Sequence, residues 1–335
     1  MKNYEVTVGI DVSKAKLDIR FVFDPTCKQH QHLIVSNDAT GIKSILSVLT
    51  KKKVDLSQVL FCFENTGLYS MPLALFFSEK KIDYWEVPAL EIMKSKGITR
   101  GKSDKNDAMQ IAFYAITHIH KLVLSSIPEK DIMRLQLLNT EREKLLKARV
   151  IMDSSKEVNG FIPGSITKET LIINKKIIAE LTNAIKKIDA TILKIIESNE
   201  QISKVYKLCK SVPGVGPQTA IYLIIKTRCF TKFGSWRKLA CYAGIVPFEY
   251  SSGTSLKGKK KVSHLADKKM KSLLNMAALS AKKNDKEIGD YYKRKVAEGK
   301  HKMLVQNNIR CKVLSRIFAV VTRESAWVDT QKFTA

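Results

Sequence analysis

Short runs of apolar and alternating residues over the first ninety positions are typical of β-strands. We predict strands at residues 4–11, 17–23, 32–35, 59–63 and 84–87. Apolar residues at helical spacing predict helices over residues 39–50 and 68–77. Three strands are therefore followed by alternating helices and strands, which indicates an α/β domain over residues 1–125.

The middle of the chain, residues 126–207, carries apolar residues at spacings of three and four. A first stripe comprises Ile132, Leu135, Leu138, Leu145 and Met152; a second comprises Ile178, Leu181, Ile185, Ile188, Ile192 and Ile195. Between them, residues 160–165 include Pro163 and Gly164 and interrupt the helical pattern. The second stripe is a heptad seam, which predicts a coiled-coil helical arm. An antiparallel hairpin within one chain and a seam between two subunits both fit this pattern.

Residues 208–335 are predicted to form a mostly α-helical C-terminal domain. Near its start, Pro213-Gly214-Val215-Gly216 separates two helical segments over residues 208–225, as in a helix-hairpin-helix motif. Gly214 and Gly216 allow a tight turn with exposed N–H groups beside a helix N-terminus, where a nucleic-acid phosphate can bind. An ordinary turn between two helices is the alternative.

Positive charge is concentrated in the second part of the chain. Residues 1–125 carry 17 Lys and Arg against 13 Asp and Glu, whereas residues 126–335 carry 41 against 19. A polyanion would neutralise this excess, and nucleic acid is the commonest one. Because the excess is confined to one part of the chain, we prefer a nucleic-acid partner to lysine-rich solvated faces.

The remaining composition points to a reduced, cytoplasmic protein. The six cysteines form no C-x-x-C pair and have no zinc-ligand spacing with histidine. No signal-peptide pattern precedes the first strand, and no apolar run reaches the length of a membrane span. We therefore expect no membrane partner.

Four acidic residues stand where the predicted α/β domain would bring them together. Asp11 ends the first strand and Glu64 follows the fourth, while Asp104 and Asp107 share one face of a helix that Ser103 would cap. Because converging carboxylates repel one another, they favour hard divalent cations, and Mg²⁺ is the usual one beside phosphates. Surface acids that cap helices and strands are the alternative. We interpret the nearby Asp18 as facing solvent.

A possible nucleophile lies far downstream, in the segment Ser251-Ser252-Gly253-Thr254-Ser255. Gly253 permits close backbone approach, and the lysines that follow supply charge for holding a phosphate; these are Lys257, Lys259, Lys260 and Lys261. A serine- and glycine-rich basic segment is by itself more typical of a solvated turn. Only its combination with the acids indicates chemistry.

That combination resembles the insertion-sequence one-ten family of transposases, which are recombinases with a RuvC-like, RNase H-like DEDD domain. The resemblance rests on Gly9-Ile10-Asp11-Val12-Ser13-Lys14, on Glu64-Asn65-Thr66-Gly67-Leu68-Tyr69 and on residues 102–108. Further on, it rests on Pro213-Gly214-Val215-Gly216, on residues 233–244 and on residues 251–258. These motifs span nearly the whole chain in the family's order.

The resemblance implies a fuller mechanism than the residues alone. The family's acids correspond to Asp11, Glu64, Asp104 and Asp107, and its nucleophile to Ser252, which would form a 5′-phosphoserine link to DNA. A bridge RNA would pair with donor and target DNA, and dimers joined by the helical arm at 129–209 would assemble into tetramers. The residue before the nucleophile is often acidic in the family but is Ser251 here, which leaves Ser251 as a rival nucleophile.

We therefore predict an RNA-guided DNA recombinase that depends on Mg²⁺. One alternative is a metal-dependent junction nuclease or exonuclease that uses the acids alone. The other is a non-catalytic nucleic-acid scaffold built on the helix-hairpin-helix.

Overall fold

The computed structural model describes residues 2–24, 26–95, 104–154, 161–252, 256–262 and 265–329. The chain divides into two compact units, Met1–Ile127 and Pro128–Ala335. The three-domain division at residues 125 and 207 stays a prediction. No helix in the described ranges is long and apolar enough to cross a membrane.

The first unit contains a five-stranded mixed sheet. Its strands are β1 (Val6–Val12), β2 (Lys16–Val22), β3 (His30–Ser36), β4 (Val59–Glu64) and β5 (Tyr84–Val87). The strand order is β3-β2-β1-β4-β5, with β1–β2 and β2–β3 antiparallel and β1–β4 and β4–β5 parallel. All five predicted strands are present, and their order agrees with the predicted RNase H-like domain.

Helices cover both faces of this sheet. They are α1 (Ala39–Lys51), α2 (Met71–Glu79), α3 (Ala89–Ser95) and α4 (Asp104–Thr117). Phe61 and Phe63 of β4 belong to the core shared with α1 and α2, whereas Cys62 packs with α4 residues. The alternation of β4 side chains therefore supplies two separate cores, one on each face.

The second unit is mostly helical. Its helices are α5 (Lys130–Ser154), α6 (Gly164–Ser198), α7 (Glu200–Ser211), α8 (Pro217–Thr227), α9 (Trp236–Tyr242), α10 (Lys268–Asn284), α11 (Lys286–Ala297) and α12 (Lys302–Thr322). A short antiparallel hairpin, β6 (Pro247–Ser252) and β7 (Leu256–Val262), lies between α9 and α10. One core of buried residues extends from α5 to α12.

Helices α5 and α6 pack against each other in antiparallel orientation. Asn199, just after α6, donates to Asp131 at the start of α5, while Arg142 pairs with Asp189 at 2.6 Å. Ile185 and Ile192 of the predicted seam are buried. Part of the seam is thus buried within one chain, and a coiled coil between subunits stays a prediction.

Candidate active site

Asp11 and Glu64 are brought together by the parallel pairing of β1 with β4. Ile10 is level with Phe63 in this pairing, so the next position along each strand places Asp11 beside Glu64. Neighbouring residues on adjacent strands share a face of the sheet. This is the arrangement that the strand ends predicted.

Helix α4 crosses the same face, with Asp104 and Asp107 in its first turn. The crossing is close because Gly9 of β1 has no side chain. A Cβ added at Gly9 would lie 2.2 Å from the backbone oxygen of Ala108 and 2.4 Å from the backbone nitrogen of Ala112. The absent side chain therefore lets α4 lie directly on β1, two residues from Asp11. The predicted cap, Ser103, lies outside the described residues.

Replacing Gly9 with alanine is expected to destabilise the protein by about 2–3 kcal/mol, because the added methyl group collides with the backbone of α4. DNA cleavage should fall as well, since α4 carries two of the four acids. Chemical denaturation and a cleavage assay measure the two effects. Gly164→Ala is the matched control, because a Cβ at Gly164 meets no atom within 4 Å. Equal stability of the two variants would contradict close packing at Gly9.

Electrostatic repulsion among the acids changes the pKa of Asp11. The pKa of Asp11 is raised from 3.8 to about 6, first by burial and then by the negative charges of Asp107, Asp104, Glu64 and Asp18. Such a group of oxygen donors fits a divalent cation, which would remove the repulsion. Among the described residues, no three His, Cys, Asp or Glu side chains are already placed as metal ligands.

Asp18 was predicted to face solvent, and this prediction is wrong. Its side chain is buried, and it accepts from Nε2 of His32 at 3.1 Å and pairs with Nζ of Lys16 at 3.1 Å. It lies opposite Asp11 in the β1–β2 pairing. The alternation of polar and apolar residues along β2 predicted that this face meets solvent. Helix α4 covers it instead, because α4 packs on β2 as well as on β1.

Sequence reasoning also missed Lys16 and His32. Nζ of Lys16 lies 2.8 Å from Oδ2 of Asp104, and the hydrogen bonds to Asp104 and then Asp18 raise the pKa of this lysine. His32 lies on β3, the strand beside β2. The signal available in the sequence was the spacing of Lys16 and Asp18, which places both on the strand face that Asp11 shares.

Ser252 is the last residue of β6, and its backbone pairs with that of Leu256. Lys257, Lys259, Lys260 and Lys261 lie along β7. Residues 253–255 of the predicted serine segment lie outside the described residues. The sequence pattern did not predict strands here, because lysine-rich strands lack an alternating apolar pattern.

The predicted helix-hairpin-helix falls on α7, a turn and α8. Gly214 has a φ of +88°, and a Cβ there would lie 2.3 Å from the backbone oxygen of Ala277 in α10. Gly216 is the N-cap of α8, and a Cβ at that position would meet no atom within 4 Å. The tight turn at Gly214 thus serves packing against α10, and phosphate binding at Gly214 and Gly216 stays a prediction.

Two family models match the regions that hold these features. Residues 8–155 match a model of the DEDD transposases of IS110, described as "Transposase", and residues 206–293 match "Transposase IS116/IS110/IS902 family". The chain belongs to the IS110 family of transposases. The insertion-sequence one-ten resemblance is thereby confirmed.

Relatives of this IS110 transposase include two pilin gene-inverting proteins, from Moraxella bovis and Moraxella lacunata. Each is 25% identical over 324 residues, covering 94% of this chain and 95% of the relative. The "Insertion element IS110 uncharacterized 43.6 kDa protein" of Streptomyces coelicolor is 34% identical over 90 residues, covering 27% of this chain and 22% of that protein.

Membership of the IS110 family establishes the coarse function. The protein is a transposase, an enzyme class that binds and cuts DNA. Its DEDD domain implies a RuvC-like fold and indicates dependence on a divalent metal. Asp11, Glu64, Asp104 and Asp107 all lie within the DEDD match, and Ser252 lies within the C-terminal match.

Proposed function

We propose that this IS110 transposase cuts donor and target DNA and rejoins their strands through a phosphoserine intermediate on Ser252. Asp11, Glu64, Asp104 and Asp107 would hold Mg²⁺ beside the phosphate. The observation that carries the proposal is geometric: strand pairing sets Asp11 beside Glu64, and Asp104 and Asp107 lie in the first turn of α4, which packs on the same strands. Burial of Asp11, and then the negative charges of these neighbours, raise its pKa. That crowding is favourable only if a cation joins it.

Bound Mg²⁺ would supply positive charge that draws electron density from the phosphate and stabilises the oxygen that leaves. The protein's own step is attack by the Ser252 oxygen on phosphorus. The bond from phosphorus to the 3′ oxygen breaks, the serine gives up its proton, and the leaving 3′ oxygen takes up a proton and departs as a 3′-hydroxyl. In rejoining, a 3′-hydroxyl attacks the phosphoserine, and the serine hydroxyl is restored. No external energy source is needed, because one phosphoester replaces another at each step.

Rejoining favours a recombinase over a simple nuclease. The relatives that match along nearly their whole length are called pilin gene-inverting proteins. Inversion of a gene requires that cut strands be joined again in a new order. A covalent link to serine keeps the energy of the broken phosphoester bond available for this second step, whereas hydrolysis at the acids alone would leave free DNA ends.

Nucleic acid would lie along the second unit. Between residues 257 and 302 the chain carries 15 Lys and Arg against 5 Asp and Glu. We propose that Lys257, Lys259, Lys260 and Lys261 neutralise phosphates there, and that Gly216 presents the N-terminus of α8 to the backbone. The region after residue 208 would thus act as the DNA- and RNA-binding domain, and residues 126–207 as a helical arm.

A bridge RNA and a tetramer built from dimers complete the proposal. One exposed set of apolar side chains on the arm supports a subunit contact: Val150, Ile151, Phe161, Ile166 and Ile173. Burying such side chains against a second copy is favourable by the hydrophobic effect. A trans arrangement, with the acids of one subunit and the serine of another, would then be possible within the assembly.

Guidance by RNA predicts that the protein purified from cells carrying its own element retains a discrete RNA. Removal of this RNA with ribonuclease is expected to abolish recombination of donor and target, and addition of the isolated RNA should restore it. RNA from the same cells depleted of that species is the control. Full recombination by RNA-free protein would exclude guidance but would leave the serine mechanism intact.

A further inference from the structure

Lys16 links two acids at the edge of the predicted metal site. Its Nζ lies 2.8 Å from Oδ2 of Asp104 on α4 and 3.1 Å from Oδ2 of Asp18 on the same strand. One ammonium group therefore bridges the helix that carries two of the acids and the sheet beneath it. The bridge joins residues that are 88 positions apart in the chain.

The two contacts of Lys16 differ in exposure to water. The Asp18 side chain is only 4% exposed, so its charge has lost most of its hydration and depends on Lys16 and His32. The Asp104 side chain is 53% exposed, and water screens its attraction to Lys16. A competing cation would therefore break the contact with Asp104 more easily than the contact with Asp18.

Asp104 also belongs to the group of carboxylates that raises the pKa of Asp11. An oxygen of Asp104 that bonds to an ammonium group is not available to a metal at the same time. Lys16 and a metal ion would therefore compete for that oxygen.

We propose that Lys16 is a built-in counter-ion of the acidic cluster, which a divalent cation displaces from Asp104 while Asp18 retains it. This inference rests on the proposed metal site. Lys16 limits repulsion among the acids before the metal binds, and it competes with the metal for Asp104. It is a positioning residue, because it acts through Asp104 and Asp18.

Lys16→Met should therefore bind Mg²⁺ more tightly than the natural protein, by about threefold or more, since an exposed ion pair no longer has to be broken. Isothermal titration of Mg²⁺ into the full-length protein, without DNA, measures this directly. Lys16→Arg keeps the positive charge and should bind Mg²⁺ with nearly the natural affinity. Lys14→Met is the matched control, because it removes an exposed lysine from the same β1–β2 turn.

The outcomes separate this inference from the proposed function. Tighter binding in Lys16→Met, with Lys14→Met unchanged, supports the counter-ion. Equal tightening in both lysine variants would show only a general charge effect and would overturn it. Unchanged or weaker Mg²⁺ binding in Lys16→Met would also overturn the counter-ion role. If Asp11→Asn abolishes Mg²⁺ binding in that case, the proposed metal site still stands. Mg²⁺ binding that is absent, or that survives Asp11→Asn, would overturn both.

Discussion

Ser252→Ala is expected to eliminate the covalent protein–DNA adduct and to lower strand exchange by about 10⁴-fold or more, as the loss of a nucleophile does elsewhere. Alanine differs from serine by one oxygen atom, and that oxygen is the atom that would attack phosphorus. DNA binding should persist, because the lysines of β7 are unchanged. Gel-based strand-exchange and adduct assays on synthetic donor and target DNA measure the loss.

Ser251→Ala provides the matched control. Ser251 and Ser252 are consecutive positions of β6. The proposed step uses one serine oxygen, so only one of the two substitutions should remove the reaction. Ser251→Ala should retain exchange within a few-fold. A reversed result would transfer the nucleophile to Ser251, and cleavage retained by Ser252→Ala would favour a metal-dependent nuclease.

Asp11→Asn is expected to have two opposite effects, on activity and on stability. Cleavage should fall by about 10³-fold or more, because the variant loses a metal ligand at the centre of the cluster. Without metal at pH 7, however, the variant should be more stable than the natural protein by about 1–2 kcal/mol, after allowance for solvent screening.

The sign of the stability effect follows from the pKa of Asp11, which is raised from 3.8 to about 6. Between these values the folded state binds more protons than the unfolded state, so stability falls as the pH rises from about 4 to 6. The asparagine side chain of the variant does not ionise. The difference in free energy of unfolding between the two proteins should therefore reach its full value above pH 6 and vanish below pH 4. Urea unfolding across this range, with and without Mg²⁺, measures it.

Asp38→Ala is the control for this stability test. Asp38 caps α1 by accepting from the backbone nitrogen of Gly41, and this hydrogen bond lowers its pKa. Its loss should reduce stability at neutral pH, the opposite sign to Asp11→Asn, and should leave cleavage intact. A less stable Asp11→Asn protein at pH 7 without metal would contradict electrostatic crowding at Asp11.

The first unit could be predicted closely because its signals are local. Buried strands such as β1 and β4 read as apolar runs, and an acid at the end of each run marks the edge where Asp11 meets Glu64. Helix α2 begins at Met71 rather than Leu68, after a turn in which Gly67 adopts a φ of +68°. That boundary depends on turn geometry, which apolar spacing does not report.

The sequence is least informative where distant parts of the chain meet. Asp18 alternates with apolar residues, as a solvent-facing residue would, yet α4 returns from more than 80 positions later to cover it. Phosphate binding at Gly214 stays a prediction, but the space that its missing side chain leaves for α10 was not apparent from the sequence. Both features depend on tertiary packing that periodicity along a single element does not encode.

The most direct test is to trap the reaction on nicked donor DNA and identify the protein residue that carries the nucleotide by mass spectrometry. The account predicts a phosphate linkage at Ser252 in the natural protein with Mg²⁺, and no linkage in Asp11→Asn or Ser252→Ala. Efficient strand exchange without any protein–DNA linkage, or a linkage at Ser252 that forms equally well in Asp11→Asn, would contradict joint action of the acids and the serine.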